Sequence, residues 1–228
     1  MSKCERCGVF YEEAESPEAG LCAVCASGEP EAAPLKWGGA MKMVMLSVQS
    51  LGVRPGAAIM AFAGVRFDSG GRGEWFYSRV DLRSSLEAGF HIEADALRLW
   101  FLNGGSELVN LGAPGGESCF EAFLRFSAWL GRKEPFELWG NGSTFDNDLL
   151  RSGFRRMGLR EWKHSSDRCY KTLADPMGGG VLRFNCEELP LKDPPEWYAE
   201  ATINNALRDA AGQASHAIEV FKKLDLEV

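Results

Sequence analysis

From residue 43 onward, compact apolar runs alternate with polar breaks that carry glycine. The run MVMLSVQ at residues 43–49 predicts a buried strand. Residues 58–67 and 75–81 predict two more strands, and the DSGGRG turn at 68–73 joins them as an antiparallel hairpin with a longer loop. A short helical stretch follows over 94–102. Residues 117–130 then place Phe123, Phe126 and Leu130 on one helical face. PFELWG supplies a buried strand at 136–140, residues 147–157 predict a helix, and RCYKTL at 168–173 marks a strand end or helix start. Residues 175–195, with three consecutive glycines and three prolines after Glu188, predict a long loop before a closing helix over 205–224. Three leading antiparallel strands followed by alternating helices and strands imply an α/β domain with a mixed sheet.

The first 28 residues have a different texture, rich in Glu and Cys and poor in large apolar side chains. They cannot bury enough surface to fold unaided. Residues 29–40, EPEAAPLKWGGA, lack hydrophobic periodicity and form an expected linker, so the main domain spans 41–228. Cys4, Cys7, Cys22 and Cys25 form C-x2-C-x14-C-x2-C, a set of four thiolates suited to closing a tetrahedron around structural Zn²⁺. Metal binding would supply the missing folding energy. Reduced cysteines in a disordered tail are the alternative. The pattern resembles a zinc ribbon or knuckle, and seven acidic against three basic residues in 1–40 favour a protein partner or plain stabilisation.

The full chain of 228 residues has a net charge of -7, so any nucleic-acid contact must come from a local groove. Its longest apolar run falls far short of the roughly 20 residues that span a bilayer. With a charged, Cys-rich start unlike a signal peptide, this predicts no membrane association and a cytoplasmic location. Seven cysteines, four clustered and Cys119, Cys169 and Cys186 scattered, favour a reducing compartment over a disulfide framework.

Four separated stretches carry a family resemblance: LGVRPGAAI from Leu51, WGNGSTFDN from Trp139, RCYKTL from Arg168 and NNALRDA from Asn204. In order and spacing they resemble the DEDDh 3′–5′ exonuclease superfamily, and most closely its small bacterial and phage exoribonuclease-like branch, whose first motif reads D-x-E-T-L-G-x-x-P. The resemblance covers about 41–223 and implies a ribonuclease H-like mixed sheet flanked by helices, here preceded by the zinc-ribbon-like segment. It also implies four carboxylates holding two Mg²⁺ or Mn²⁺ ions and a histidine base. Carried over by position, the first two carboxylates fall on Ser47 and Gln49, i and i+2 on one side of a strand. The second-motif aspartate falls on Asp146, the histidine on Asn204 and the last aspartate on Asp209, with Arg208 where an extra acid is common.

A hydroxyl and an amide are poor ligands for hard dications, and Asn204 has no pKa for proton transfer. These substitutions argue against enzyme activity and make Mg or Mn a doubtful cofactor, with Asp146 and Asp209 left as residual ligands. Ser47, Gln49, Leu51, Arg54, Phe145, Asn147 and Arg208 are the candidates for holding a nucleotide or a nucleic-acid 3′ end. His216 and Trp139 are expected to pack rather than act, and Cys169 to be a buried structural cysteine. The expected function is therefore that of a pseudonuclease, which binds a nucleic-acid end, nucleotide or protein without hydrolysis. Two alternatives stand beside it: an active metal-dependent exonuclease with an atypical site, and a phage- or bacterium-encoded protein-interaction module. Family resemblance adds the expectation of a homodimer.

Overall fold

In a computed structural model of the chain, KMVMLSVQS forms β3 (Lys42–Ser50), the middle strand of five. The structure describes residues 2–3, 10–11, 42–68, 73–131, 136–174, 190–201 and 205–223. Two compact units divide the chain, Met1–Trp37 and Gly38–Val228. In the first, β1 (Ser2–Lys3) pairs antiparallel with β2 (Phe10–Tyr11). The four candidate zinc cysteines and the 29–40 linker lie outside the described residues.

In the second unit the sheet order is β5 (Trp75–Arg79), β4 (Ile59–Phe67), β3, β6 (Phe136–Gly140), β7 (Asp167–Cys169). The first three strands are antiparallel, whereas β6 and β7 run parallel to β3, giving the expected mixed sheet. Side chains alternate across a strand. Val44, Leu46 and Val48 enter one core with α4 (Cys119–Leu130) and α5 (Asp148–Arg156). Met43 and Met45 face the other way, against α7 (Ala206–Lys223). That helix presents Ala206, Ala210, Ala211, Ala214 and Ala217 to the sheet, and small side chains allow close approach. Ser47 and Gln49 continue the Met43 and Met45 row, so they lie on the face that α7 covers.

Several helices depart from the sequence expectations. Asp81, expected at a strand end, instead caps α1 (Leu82–Glu87) by accepting the Ser84 N–H at 2.7 Å. α2 (Ala94–Asn103) is followed directly by α3 (Gly105–Gly112), which Gly104 and Gly105 concealed in the sequence. α4 starts two residues later than expected, at a capping box in which Ser118 Oγ accepts from Glu121 N–H and donates to the Glu121 carboxylate. RCYKTL resolves into both alternatives, the end of β7 and the start of α6 (Tyr170–Ala174). Residues 175–189 of the expected long loop lie outside the described set. Among the described residues, no helix is long and apolar enough to cross a membrane.

Candidate functional site

The candidate site lies where β6 ends. Pairing between β3 and β6 runs only as far as Met45 opposite Trp139, which leaves Val48 without a strand partner on that side. The Asp146 carboxylate takes the partner's place, with Val48 N–H donating to Oδ1 at 3.0 Å. Asp146 reaches this position from a wide π-type turn, Ser143–Asn147, which opens at Gly142 with φ 107°. Phe145 and Asp146 N–H both donate to the Gly142 carbonyl, at 2.8 and 3.2 Å. Gly140 permits the close approach: a methyl there would sit 2.3 Å from Asn147 Oδ1 and 3.1 Å from Asp146 Cβ.

Asp146 is 3% exposed, and its Oδ2 has no hydrogen-bond partner. Burial pushes its pKa up to about 7, against the backbone N–H groups of Val48, Asn141 and Asp146 and the charge of Lys171. On β3, Gln49 is 5% exposed and neither its amide oxygen nor its nitrogen has a partner. Ser47, equally buried, lies opposite Ala63, which in turn lies opposite Tyr77. Asp209 sits half-buried in the first turn of α7. Thus Ser47 and Gln49 flank Val48, whose N–H Asp146 binds, and α7, which carries Asp209, packs on the sheet face of Ser47 and Gln49. Asn204, the position of the expected base, lies outside the described residues.

Two of the binding candidates are buried. Asn147 is fully buried, and its amide nitrogen donates to the Leu138 carbonyl at 3.0 Å and to Asp167 Oδ1 at 2.9 Å, while its Oδ1 has no partner. Its two donated bonds tie the turn to β6 and β7. Leu51 is also buried, with its N–H donated to Ala58 at 2.8 Å and its carbonyl accepting from Glu93 at 2.7 Å. Arg54, by contrast, is largely exposed beside Glu93, with Nε to Oε1 at 3.7 Å. Phe145 is half-buried against the core, and Arg208 Nη1 donates to the Ala201 carbonyl. Trp139 packs edge-on against Phe221 as expected, and the His216 ring meets the Tyr170 hydroxyl at 2.5 Å.

Cys169 is half-exposed rather than buried. Burial raises its thiol pKa, but bonds from the Thr172 hydroxyl and from the backbone of Ser143, Thr172 and Lys171 outweigh this and leave it below the usual range. Glu107 is a further group that motif spacing missed. It is buried on α3, where Asn205 Nδ2 donates to Oε1 at 3.2 Å. Burial, then this carboxylate, push the Tyr77 pKa up to about 12. One weak signal was present: Glu107 is the only acid in residues 96–116.

The donor set at the first-motif positions is an alcohol and an amide. Among the described residues, no three His, Cys, Asp or Glu side chains are grouped closely enough to hold a metal ion. Neutral donors beside one deeply buried acid do not fit a pair of hard dications, which favour anionic oxygen.

This sheet, with an acid-bearing turn beside its central strand, defines a DEDD-type, ribonuclease H-like exonuclease fold. The model of the 3'-5' exoribonuclease Rv2179c-like domain matches residues 42–221, and the chain belongs to that family. Among solved structures, the moderately thermophilic exonuclease I from Methylocaldum szegediense is similar at 17% identity and TM-score 0.53, over 82% of this chain and 41% of that one. E. coli exonuclease I in complex with a dA13 oligonucleotide gives 18% identity and TM-score 0.49, over 80% and 40%. The chain therefore spans about two fifths of the length of these proteins. Curated protein sequences give no match.

Proposed function

We propose that this exonuclease-family chain holds a nucleic-acid end or nucleotide at the site around Val48 without two-metal hydrolysis. The observation that carries this reading is Gln49, a buried amide with both polar atoms unpartnered, at a position where the family resemblance implies a metal-binding carboxylate. A buried polar group left unsatisfied costs about 1–3 kcal/mol, a penalty that a hydrogen-bonding ligand would relieve. The amide can donate to a phosphate or sugar oxygen and accept from a sugar hydroxyl, and Ser47 adds a second neutral donor. Two carboxylates also repel a phosphate less than four do. Membership of an exoribonuclease family supports nucleic acid as the ligand class.

One observation favours the rival reading of a residual metal-dependent exonuclease: the partnerless Oδ2 of Asp146 is free to become a ligand. Incubation of end-labelled single-stranded RNA and DNA with the protein, in Mg²⁺ and separately in Mn²⁺, separates the two. The expected result is oligonucleotide binding without nucleotide release. Robust hydrolysis that Asp146→Ala abolishes would overturn the proposal in favour of the rival.

A further inference from the structure

α3 buries only two of its side chains, Leu111 and Glu107. Leu111 joins the core beneath the helix. Glu107 is 2% exposed, and an apolar side chain in its place would avoid the cost of burying a carboxylate. What a carboxylate supplies there is direction. Asn205 Nδ2 donates to Glu107 Oε1 at 3.2 Å, and the same side chain is hydrogen-bonded to the Tyr77 hydroxyl. Because a carboxylate only accepts, it holds the NH2 end of the Asn205 amide towards itself and leaves Oδ1 for the backbone of α7. Oδ1 accepts the Leu207 N–H at 2.9 Å, while the Asn205 carbonyl accepts the Asp209 N–H at 2.9 Å. Asn205 therefore caps α7, and Glu107 fixes which way the cap faces.

The capped turn belongs to the candidate site. Register places Ser47 opposite Ala63 and Ala63 opposite Tyr77, so one row of side chains crosses β3, β4 and β5 on the face that α7 covers. Ala63 shares a core cluster with Ala206, Leu207 and Ala210, and Tyr77 packs against that cluster. Asp209 stands in the same turn, and Arg208 beside it donates to the Ala201 carbonyl. Four residues before Ala201, the Trp197 ring lies 4.8 Å from the Tyr77 ring, centroid to centroid. The start of α7 is thus held from three directions: by α3 through Glu107, by β5 through Tyr77, and by the 196–201 stretch through the Arg208 bond.

We infer that Glu107 is a positioning residue for this site: through the Asn205 amide it sets the first turn of α7, and with it Asp209, against the strand that carries Ser47 and Gln49. The inference rests on the reading of that site as one that holds a nucleotide or nucleic-acid end, and it adds the group that fixes the α7 side of it. Such a group acts without touching the ligand, and the loss of a supporting partner of this kind costs about 10–100-fold at metal sites.

Two readouts on the full chain, without divalent cations, test this: hydrogen exchange along α7, and fluorescence anisotropy of the RNA dinucleotide ApA labelled at its 5′ end. Glu107→Ala should speed exchange at Leu207 and Asp209 about fivefold or more, the scale of a lost helix cap, and leave Ala217 to Phe221 unchanged. It should weaken the dinucleotide about tenfold or more. Glu107→Gln, which can still accept from Asn205, should lose less in both, and it carries the comparison if the alanine variant does not fold. Leu111→Ala, a cavity on the same helix, controls for lost stability: it should affect both ends of α7 alike and leave dinucleotide affinity unchanged. Unchanged exchange at the first turn in both Glu107 variants would overturn the anchor. Faster exchange with unaltered dinucleotide affinity, or an affinity loss that Leu111→Ala matches at equal stability, would leave Glu107 a structural residue and overturn the inference. Absence of dinucleotide binding by the wild-type chain would instead overturn the reading of the site and with it the ligand role of Glu107, while the exchange result would still decide whether Glu107 holds α7.

Discussion

Asp146→Asn is the substitution that most directly tests the electrostatics of the pocket. In the folded chain burial pushes this carboxyl from 3.8 up to about 7. The folded state therefore holds one more proton than the unfolded state across that interval, and stability must fall as pH rises. The loss begins near the unfolded pKa, accumulates through the window and levels off above pH 7. At 1.36 kcal/mol per pH unit, a rise from 3.8 to about 7 corresponds to a destabilisation of about 4 kcal/mol at the plateau, an upper bound for a group that gains water as it ionises. Asparagine keeps the bond that matters to the fold, since its Oδ1 can still accept the Val48 N–H, and it places a neutral amide where Oδ2 has no partner. Urea denaturation of both proteins at pH 4.5 and pH 8, without divalent cations, gives the comparison. The difference between them cancels the other groups that titrate in the window. The variant should be close to wild type in acid and more stable at pH 8 by up to about 4 kcal/mol. A variant that is less stable than wild type at pH 8 would refute the account of Asp146 as an acid held against its own ionisation. Mn²⁺ adds a second readout: a metal that binds the ionised carboxylate would raise wild-type stability at pH 8 and erase the variant's advantage, whereas the proposed pocket leaves both unchanged.

Gly140→Ala should cost about 1–3 kcal/mol in urea denaturation, because its methyl would overlap Asn147 Oδ1, whose amide cannot retreat without breaking two bonds; unchanged stability would remove Asn147 from its anchoring role. Elemental analysis of the full chain should find about one zinc, lost in Cys4→Ser with Cys22→Ser, and four freely alkylated N-terminal thiols in the wild type would rule the site out. Ser47→Asp, Gln49→Glu and Asn204→His together should raise Mn²⁺-dependent nucleotide release by about 10²-fold or more, the scale of a restored general base alone. Continued inertness, with oligonucleotide binding intact, would mean that the pocket differs from a nuclease site in more than these three positions.

Much of the sheet was legible because period-two burial leaves its mark on composition. MVMLSVQ, residues 58–67 and PFELWG all appear as strands within a residue of their expected bounds. The short helices were not legible, for a physical reason. α1 depends on one cap from Asp81, and α3 starts directly at a glycine pair, so neither shows a long amphipathic repeat. Cys169 illustrates a different limit: a thiol's environment is set by backbone N–H groups of the Ser143 turn and of α6, which no residue-type pattern reports.

At the site, motif spacing located Asp146 but could not say what holds it. Sequence adjacency also suggested that Asn147 shared its ligand-facing role, yet the wide turn sends one side chain to β3 and the other into the gap between β6 and β7. Asp146 has work in this fold that needs no metal, because without its carboxylate the Val48 N–H would be a buried orphan where β6 stops. Its presence is therefore weak evidence for catalysis. Gln49 is the more informative residue. It gains no hydrogen bond within the described fold, it costs free energy to bury, and a small apolar side chain in its place would avoid that cost. A ligand from outside the chain would satisfy a polar group in that state, and an amide specifies hydrogen bonds where a carboxylate would have specified a cation.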